Sequence, residues 1–232
     1  MALRPKIISA YEAAGLIPTG SSIMFSGFVG CGCALDVVEA MARLGQPEHI
    51  CGIFDDPSLP NAPDGREGYG YSRLIHTGQL DRCITGYLAN DPEAERRWAA
   101  GLLHVDLVPQ GSLAEMIRAG GSGLGGVVTP TGVGTLVEQS PFTERRLTID
   151  GRDYLLMRPL KADFALVSGA KVDRAGNIWY AGTTRNFAPL MCMAADTVIV
   201  EAEELVEIGA IAPENVVTPG ILVDYIVVRG GI

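Results

Sequence analysis

Charge is scarce in this sequence, and positive charge is the scarcer sign. Only 19% of the 232 residues are charged, with 18 Lys plus Arg against 27 Asp plus Glu and a net charge of −9. Such a surface repels phosphate backbones and anionic lipid, which excludes general nucleic-acid binding and a membrane-surface role. Histidine is nearly absent: His49, His76 and His104 are scattered. The five cysteines, Cys31, Cys33, Cys51, Cys83 and Cys192, are odd in number and irregularly spaced. That pattern is no disulfide framework. It reads as free thiols in a reducing, cytoplasmic setting. Cys31-Gly32-Cys33 has no second Cys pair to complete a tetrahedral site, so no metal is expected. Also missing are a Ser–His–Asp order, a nucleophile elbow, the G-x-G-x-x-G fingerprint and a P-loop.

Two uncharged runs approach the length of a membrane span. The run 13–35 holds five glycines and Pro18, and the run 119–137 holds seven glycines and Pro130. Both are read as glycine-rich loops joined to buried strands. Arg4 and Lys6 precede an apolar stretch, but Glu12 interrupts it, so no signal peptide is expected.

What is present is a hydrophobic share of 47% and 29 glycines. Short apolar runs alternate with helical stretches. Strands are expected at 22–25, 50–54, 82–86, 105–108, 165–167, 178–180, 197–200 and 221–228. Helices are expected at 35–44, with Gly45 as its stop, at 92–100 from Pro92, and at 189–195. Ser112-Leu113-Ala114-Glu115 has the capping-box spacing and is expected to open a short helix ending at Ala119. Leu147 to Met157 reads as a hairpin turning at Asp150-Gly151. The pattern is that of one α/β domain over residues 1–232: a mostly parallel open sheet flanked by helices, with antiparallel additions in the second half.

Four segments are candidates for chemistry. Ser26-Gly27-Phe28-Val29-Gly30-Cys31-Gly32 lies between an expected strand and helix. Ligands gather at the carboxyl ends of strands in open α/β sheets. Glycines there admit a ligand to the backbone, and the next helix offers free N–H groups to an anion. The same loop reads equally as a tight packing turn. Gln110, past another strand end, has an amide able to orient a carboxylate or to hold the local backbone. Thr129 to Thr135 is a rigid loop with threonine hydroxyls, and Arg185-Asn186-Phe187 offers a cation. No carboxylate stands in a motif that marks it as catalytic.

Taken together, these segments resemble the α subunit of family I, 3-oxoacid-type, CoA-transferases. The resemblance is carried by Ile23 to Gly32, Val108 to Gly123, Thr129 to Thr135, Ala162 to Val167, Asp173 to Ile178, Arg185 to Phe187 and Val217 to Gly220. It runs in order from residue 5 to residue 228.

The resemblance implies that CoA passes from an acyl-CoA to a free short-chain carboxylic or 3-oxo acid by a ping-pong route. An enzyme glutamate carries CoA as a thioester, which splits one hard exchange into easier steps. That glutamate stands in a Ser-Glu-Asn-Gly context on a β subunit. This sequence lacks the tetrapeptide, and Glu214-Asn215 is its nearest lookalike. The implied assembly is α2β2, with acyl-CoA as substrate and no permanently bound cofactor. In the same way Ser26, Gly27, Phe28, Val29, Gly30, Cys31 and Gly32 correspond to the CoA-binding stretch, and Gln110 to the acyl pocket.

Three departures stand out: Ser26 for a glycine, Gly32-Cys33-Ala34 for Gly-x-Pro, and Asp55 where the family carries an asparagine. Asp55 either faces the acyl pocket or turns away from it. Two other classes fit the scaffold: acyl-CoA hydrolysis or C–C cleavage, and a non-catalytic ligand-sensing α/β domain.

Overall fold

The computed structural model describes residues 5–231, so Arg4 of the N-terminal basic pair lies outside the described residues. In chain order the elements are β1 (Lys6–Ile8), α1 (Ala10–Gly15), β2 (Ser22–Phe25), α2 (Leu35–Leu44), β3 (Ile50–Phe54), β4 (Leu59–Asn61), β5 (Glu67–Tyr69), α3 (Ser72–His76), β6 (Leu80–Thr85), α4 (Pro92–Ala99) and β7 (His104–Leu107). There follow α5 (Gln110–Gly121), β8 (Val127–Thr129), β9 (Thr143–Ile149), β10 (Arg152–Met157), β11 (Ala162–Asp173), β12 (Ile178–Trp179), α6 (Ala188–Ala194), β13 (Ala195–Val206) and β14 (Tyr225–Val228).

The main sheet runs β1-β14-β13-β11-β2-β3-β6-β7, and each neighbouring pair along it is parallel. β12 adds antiparallel to β11. Two antiparallel pieces stand apart, β8-β10-β9 and the β4–β5 hairpin. The expected class is therefore observed.

Parallel strands with helices on both faces bury both sets of side chains, and these strands are accordingly apolar at successive positions. In β2, Ile23 and Phe25 point to one face, where they meet Val37 and Met41 of α2 and Leu74 of α3. Met24 points to the other, with Leu113 and Met116 of α5 and Met191 of α6. Local signals fix the ends. α2 stops where Gly45 takes the left-handed conformation at φ 63°. Asp91 caps α4 ahead of Pro92. Asp150 and Gly151 both have positive φ, 50° and 73°, as a two-residue hairpin turn demands. Among the described residues no helix is long and apolar enough to cross a membrane.

Three expectations need correction. Ser112 does not cap a helix: α5 begins two residues earlier, after Pro109, and Ser112 is buried within it. The glycine run from Gly120 also starts inside that helix. The last strand begins only at Tyr225, because Gly220–Leu222 form a 3-10 turn.

The chain steps outward from β2 through β3 and β6 to β7, then returns to place β11 on the other side of β2. Strand order thus reverses between β2 and β11. At such a switch point the loops diverge from the carboxyl ends and leave a crevice.

Candidate active site

The loop after β2 enters this crevice. Phe28 and Cys31 exchange both backbone hydrogen bonds at 2.9 Å, closing a tight turn over Val29 and Gly30. Both turn residues have positive φ, 48° and 80°. A β-carbon on Gly30 would stand 2.7 Å from the Tyr69 ring, so glycine is required there by contact as well as by backbone. The tip leaves Phe28 and Val29 exposed, at 47% and 39%.

The rest of the loop is pinned. Ser26 is buried; its hydroxyl donates to the Gly32 carbonyl at 2.7 Å and accepts from the Ser168 N–H at 3.1 Å. Gly27 and Gly32 lie at positive φ, and β-carbons there would meet the Cys33 sulfur and the Thr184 carbonyl. Cys31 is exposed, whereas Cys33 is buried and its thiol is pushed up to about 12 by burial.

The N–H groups of α2 are not available to a ligand, against the expectation from sequence. Ala34 gives no side-chain cap. Instead the fully buried Glu201 of β13 accepts from the N–H groups of Leu35, Asp36 and Val37 at 3.0, 2.8 and 3.1 Å. Burial pushes the Glu201 carboxyl above its usual range, and the Arg229 guanidinium at 2.8 Å opposes that rise. Arg229 also donates to the Cys33 carbonyl at 2.9 Å and to Ser168 Oγ at 3.0 Å.

Asp55 and Asp56 stand just past the end of β3, both buried. Asp56 accepts from the Val29 N–H at 2.9 Å and so ties the glycine loop down. Asp55 accepts from Gln110 Nε2, and from Asn186 Nδ2 at 3.0 Å. The same Asn186 amide donates to the Gly27 carbonyl at 2.9 Å. Asn186 sits at φ 32°, an unfavourable backbone for a non-glycine residue that its side-chain bonds hold in place. Burial moves the Asp55 carboxyl above its usual range; the Asn186 hydrogen bond acts against this, and the Asp56 charge adds to it.

Phe28, Asp55, Gln110, Thr183, Asn186 and Phe187 line one open depression. The structure thus brings together the exposed tip of the Ser26–Gly32 loop, Asp55 and Gln110. Asn186, Phe187 and Thr183 complete the wall. The sequence points to the Arg185-Asn186-Phe187 segment for its cation, but Arg185 does not line the depression and Asn186 does. The loop Thr129 to Thr135 lies outside that lining. Among the described residues no group of three or more His, Cys, Asp or Glu gathers to hold a metal ion.

The coenzyme A transferase family model matches residues 7–229. The α subunit of an acetoacetyl-CoA:acetate/butyrate CoA transferase from Clostridium acetobutylicum is 41% identical over 225 residues, 97% of this chain and 98% of that one. The α subunit of the acetate CoA-transferase of Escherichia coli K12 is 41% identical over 226 residues, again 97% and 98% of the two chains. In three dimensions the chain is similar to an acyl-CoA transferase of Escherichia coli O157:H7 in its thioester complex with CoA, with a TM-score of 0.83 at 21% identity. That match covers 97% of this chain but only 47% of the other, so the chain spans about half its length. With a family match of this extent and α subunits aligned over nearly their full length, the chain belongs to the coenzyme A transferase family and is of its α-subunit type.

Proposed function

We propose that this chain, one α-subunit domain over residues 1–232, works with a β subunit in an α2β2 assembly. The assembly moves CoA from an acyl-CoA to a free short-chain carboxylic or 3-oxo acid. The observation that carries the reading is the 41% identity, over nearly the full length of both chains, with α subunits named for acetoacetyl-CoA, acetate and butyrate. The nucleophilic glutamate belongs to the β subunit; no Ser-Glu-Asn-Gly occurs here. Five free cysteines support a cytoplasmic setting.

The chain's own residues bind and orient. The N–H groups of Phe28, Val29 and Cys31 are engaged within the protein. The exposed Phe28 and Val29 side chains at the loop's tip suit the alkyl part of the CoA arm. Ser26, Gly27, Gly30, Cys31 and Gly32 set the shape of that tip. Gln110, beside Asp55, lines the space where the acid sits.

The test is to assay CoA exchange between acetoacetyl-CoA and acetate with this chain by itself, with a β subunit by itself, and with both. Exchange is expected only from the pair, with a CoA thioester trapped on the β subunit. Turnover by the single chain would overturn the reading.

A further inference from the structure

The depression at the strand ends has a polar inventory that fits one kind of substrate. Among the described residues no lysine or arginine contributes to its lining, and the one carboxylate there is Asp55, only 4% exposed. A carboxylate can only accept, so the amides facing it must present their N–H groups. Both do: Gln110 Nε2 and Asn186 Nδ2 donate to the two Asp55 oxygens. Gln110 therefore turns its carbonyl oxygen away from Asp55. Asp55 and the Gln110 oxygen then add acceptors to a wall whose Thr183 hydroxyl can either donate or accept. Each Asp55 oxygen already accepts one amide N–H, and a plain alkyl acid adds nothing to its remaining lone pairs or to the Gln110 oxygen once water is displaced. A substrate chain that carries a donor satisfies them.

We propose that Asp55 is a specificity-determining residue that selects acids bearing a hydrogen-bond donor on their chain, a hydroxyl or an ammonium group, over plain alkyl acids. This rests on the transferase reading above. Gln110 and Asn186 act as positioning residues for Asp55, and Asn186 links it to the glycine loop through the Gly27 carbonyl.

The experiment uses the assembled α/β enzyme and matched acceptor acids: butyrate against 3-hydroxybutyrate, and propionate against 3-aminopropionate. For each pair, kcat/KM is measured for wild type, Asp55→Asn and Asp55→Ser. Wild type is expected to favour at least one donor-bearing acid by about tenfold or more, the worth of one added hydrogen bond to a charged acceptor. The arm that responds tells hydroxyl from ammonium. Both variants are expected to cut that ratio by about tenfold. Asp55→Ser guards against misassembly of Asp55→Asn, and the wild-type ratio stands without either.

Formation of the enzyme–CoA thioester from acyl-CoA alone is read in parallel. Thioester formation with flat acid profiles, or ratios that the variants leave unchanged, overturns this proposal alone. Failure of wild type to form any thioester overturns the transferase reading and this proposal with it.

Discussion

Replacing Glu201 by alanine is expected to destabilise the chain by roughly 4 kcal/mol. The side chain is 0% exposed and sits where α2, β13 and the residues after β14 meet. Its loss removes the acceptor for three helix N–H groups, those of Leu35, Asp36 and Val37. Losing a helix cap costs about 1 kcal/mol. It also leaves Arg229 without its buried partner, and breaking such a pair costs about 3–5 kcal/mol. Arg229 is 27% exposed and keeps its Glu203 contact at 2.6 Å, which places the second contribution at the low end. For a chain of this size the sum lowers Tm by roughly 8–16 °C. Glu201→Gln retains one acceptor oxygen and is expected to lose about half as much. Glu203→Ala removes only the exposed partner of the same arginine and is expected to cost under about 1 kcal/mol. Denaturant and thermal unfolding of the three variants against wild type check the ranking. A Glu201→Ala chain within about 1 kcal/mol of wild type would refute the argument that this carboxylate caps α2.

Three further expectations follow from the same geometry. Gly30→Val forces a branched side chain onto φ 80° and into the Tyr69 ring, so CoA affinity of the assembled enzyme should fall while the complex stays folded; unchanged affinity would remove the loop from the CoA site. Gly120→Ala drives a methyl group of α5 into the Leu160 carbonyl, and overpacking of this kind costs about 1–3 kcal/mol, readable as a lower Tm. Asp55 has its carboxyl raised above 3.8 by burial, so the folded chain holds that proton more tightly than the unfolded one. Its contribution to stability falls as pH rises from 3.8 through the folded value and is flat above it. The Tm of wild type minus that of Asp55→Asn should decline over that window; a difference that grows with pH would contradict the burial.

Much of the fold is legible in the sequence because both faces of the sheet are covered. β2, α2 and β3 begin and end where the apolar runs and Gly45 place them. The capping box shows where pattern alone fails. Ser9-Ala10-Tyr11-Glu12 has the same spacing as Ser112 to Glu115, and it is the former that caps a helix, with Ser9 extended at φ −74°, ψ 162°. At Ser112 the chain is already helical, so the hydroxyl has no free N–H to accept from. In the site, Asp55 and Gln110 stand out from the sequence, but the bond between them joins residues 55 positions apart and no local spacing announces it. Glu201 is absent from the sequence-derived candidates although a signal exists. It follows Val198-Ile199-Val200 in a strand buried on both faces, where a charge is out of place without a partner. That the partners would be the start of α2 and Arg229 is a fact of topology.

The Arg229 contact bears on the order of folding. Its guanidinium reaches the carbonyl of Cys33, 196 residues earlier in the chain. Contacts this distant in sequence form late, after the intervening loop has closed. During synthesis the segment around Cys33 emerges long before residue 229 exists, and the strand carrying Glu201 is made nearly as late. The front of the molecule therefore waits, with the start of α2 uncapped, until the rear of the chain arrives. A nascent chain halted before β13 carries all six α-helices, yet the Cys33 end of its glycine loop and the start of α2 still lack the contacts that Arg229 and Glu201 supply.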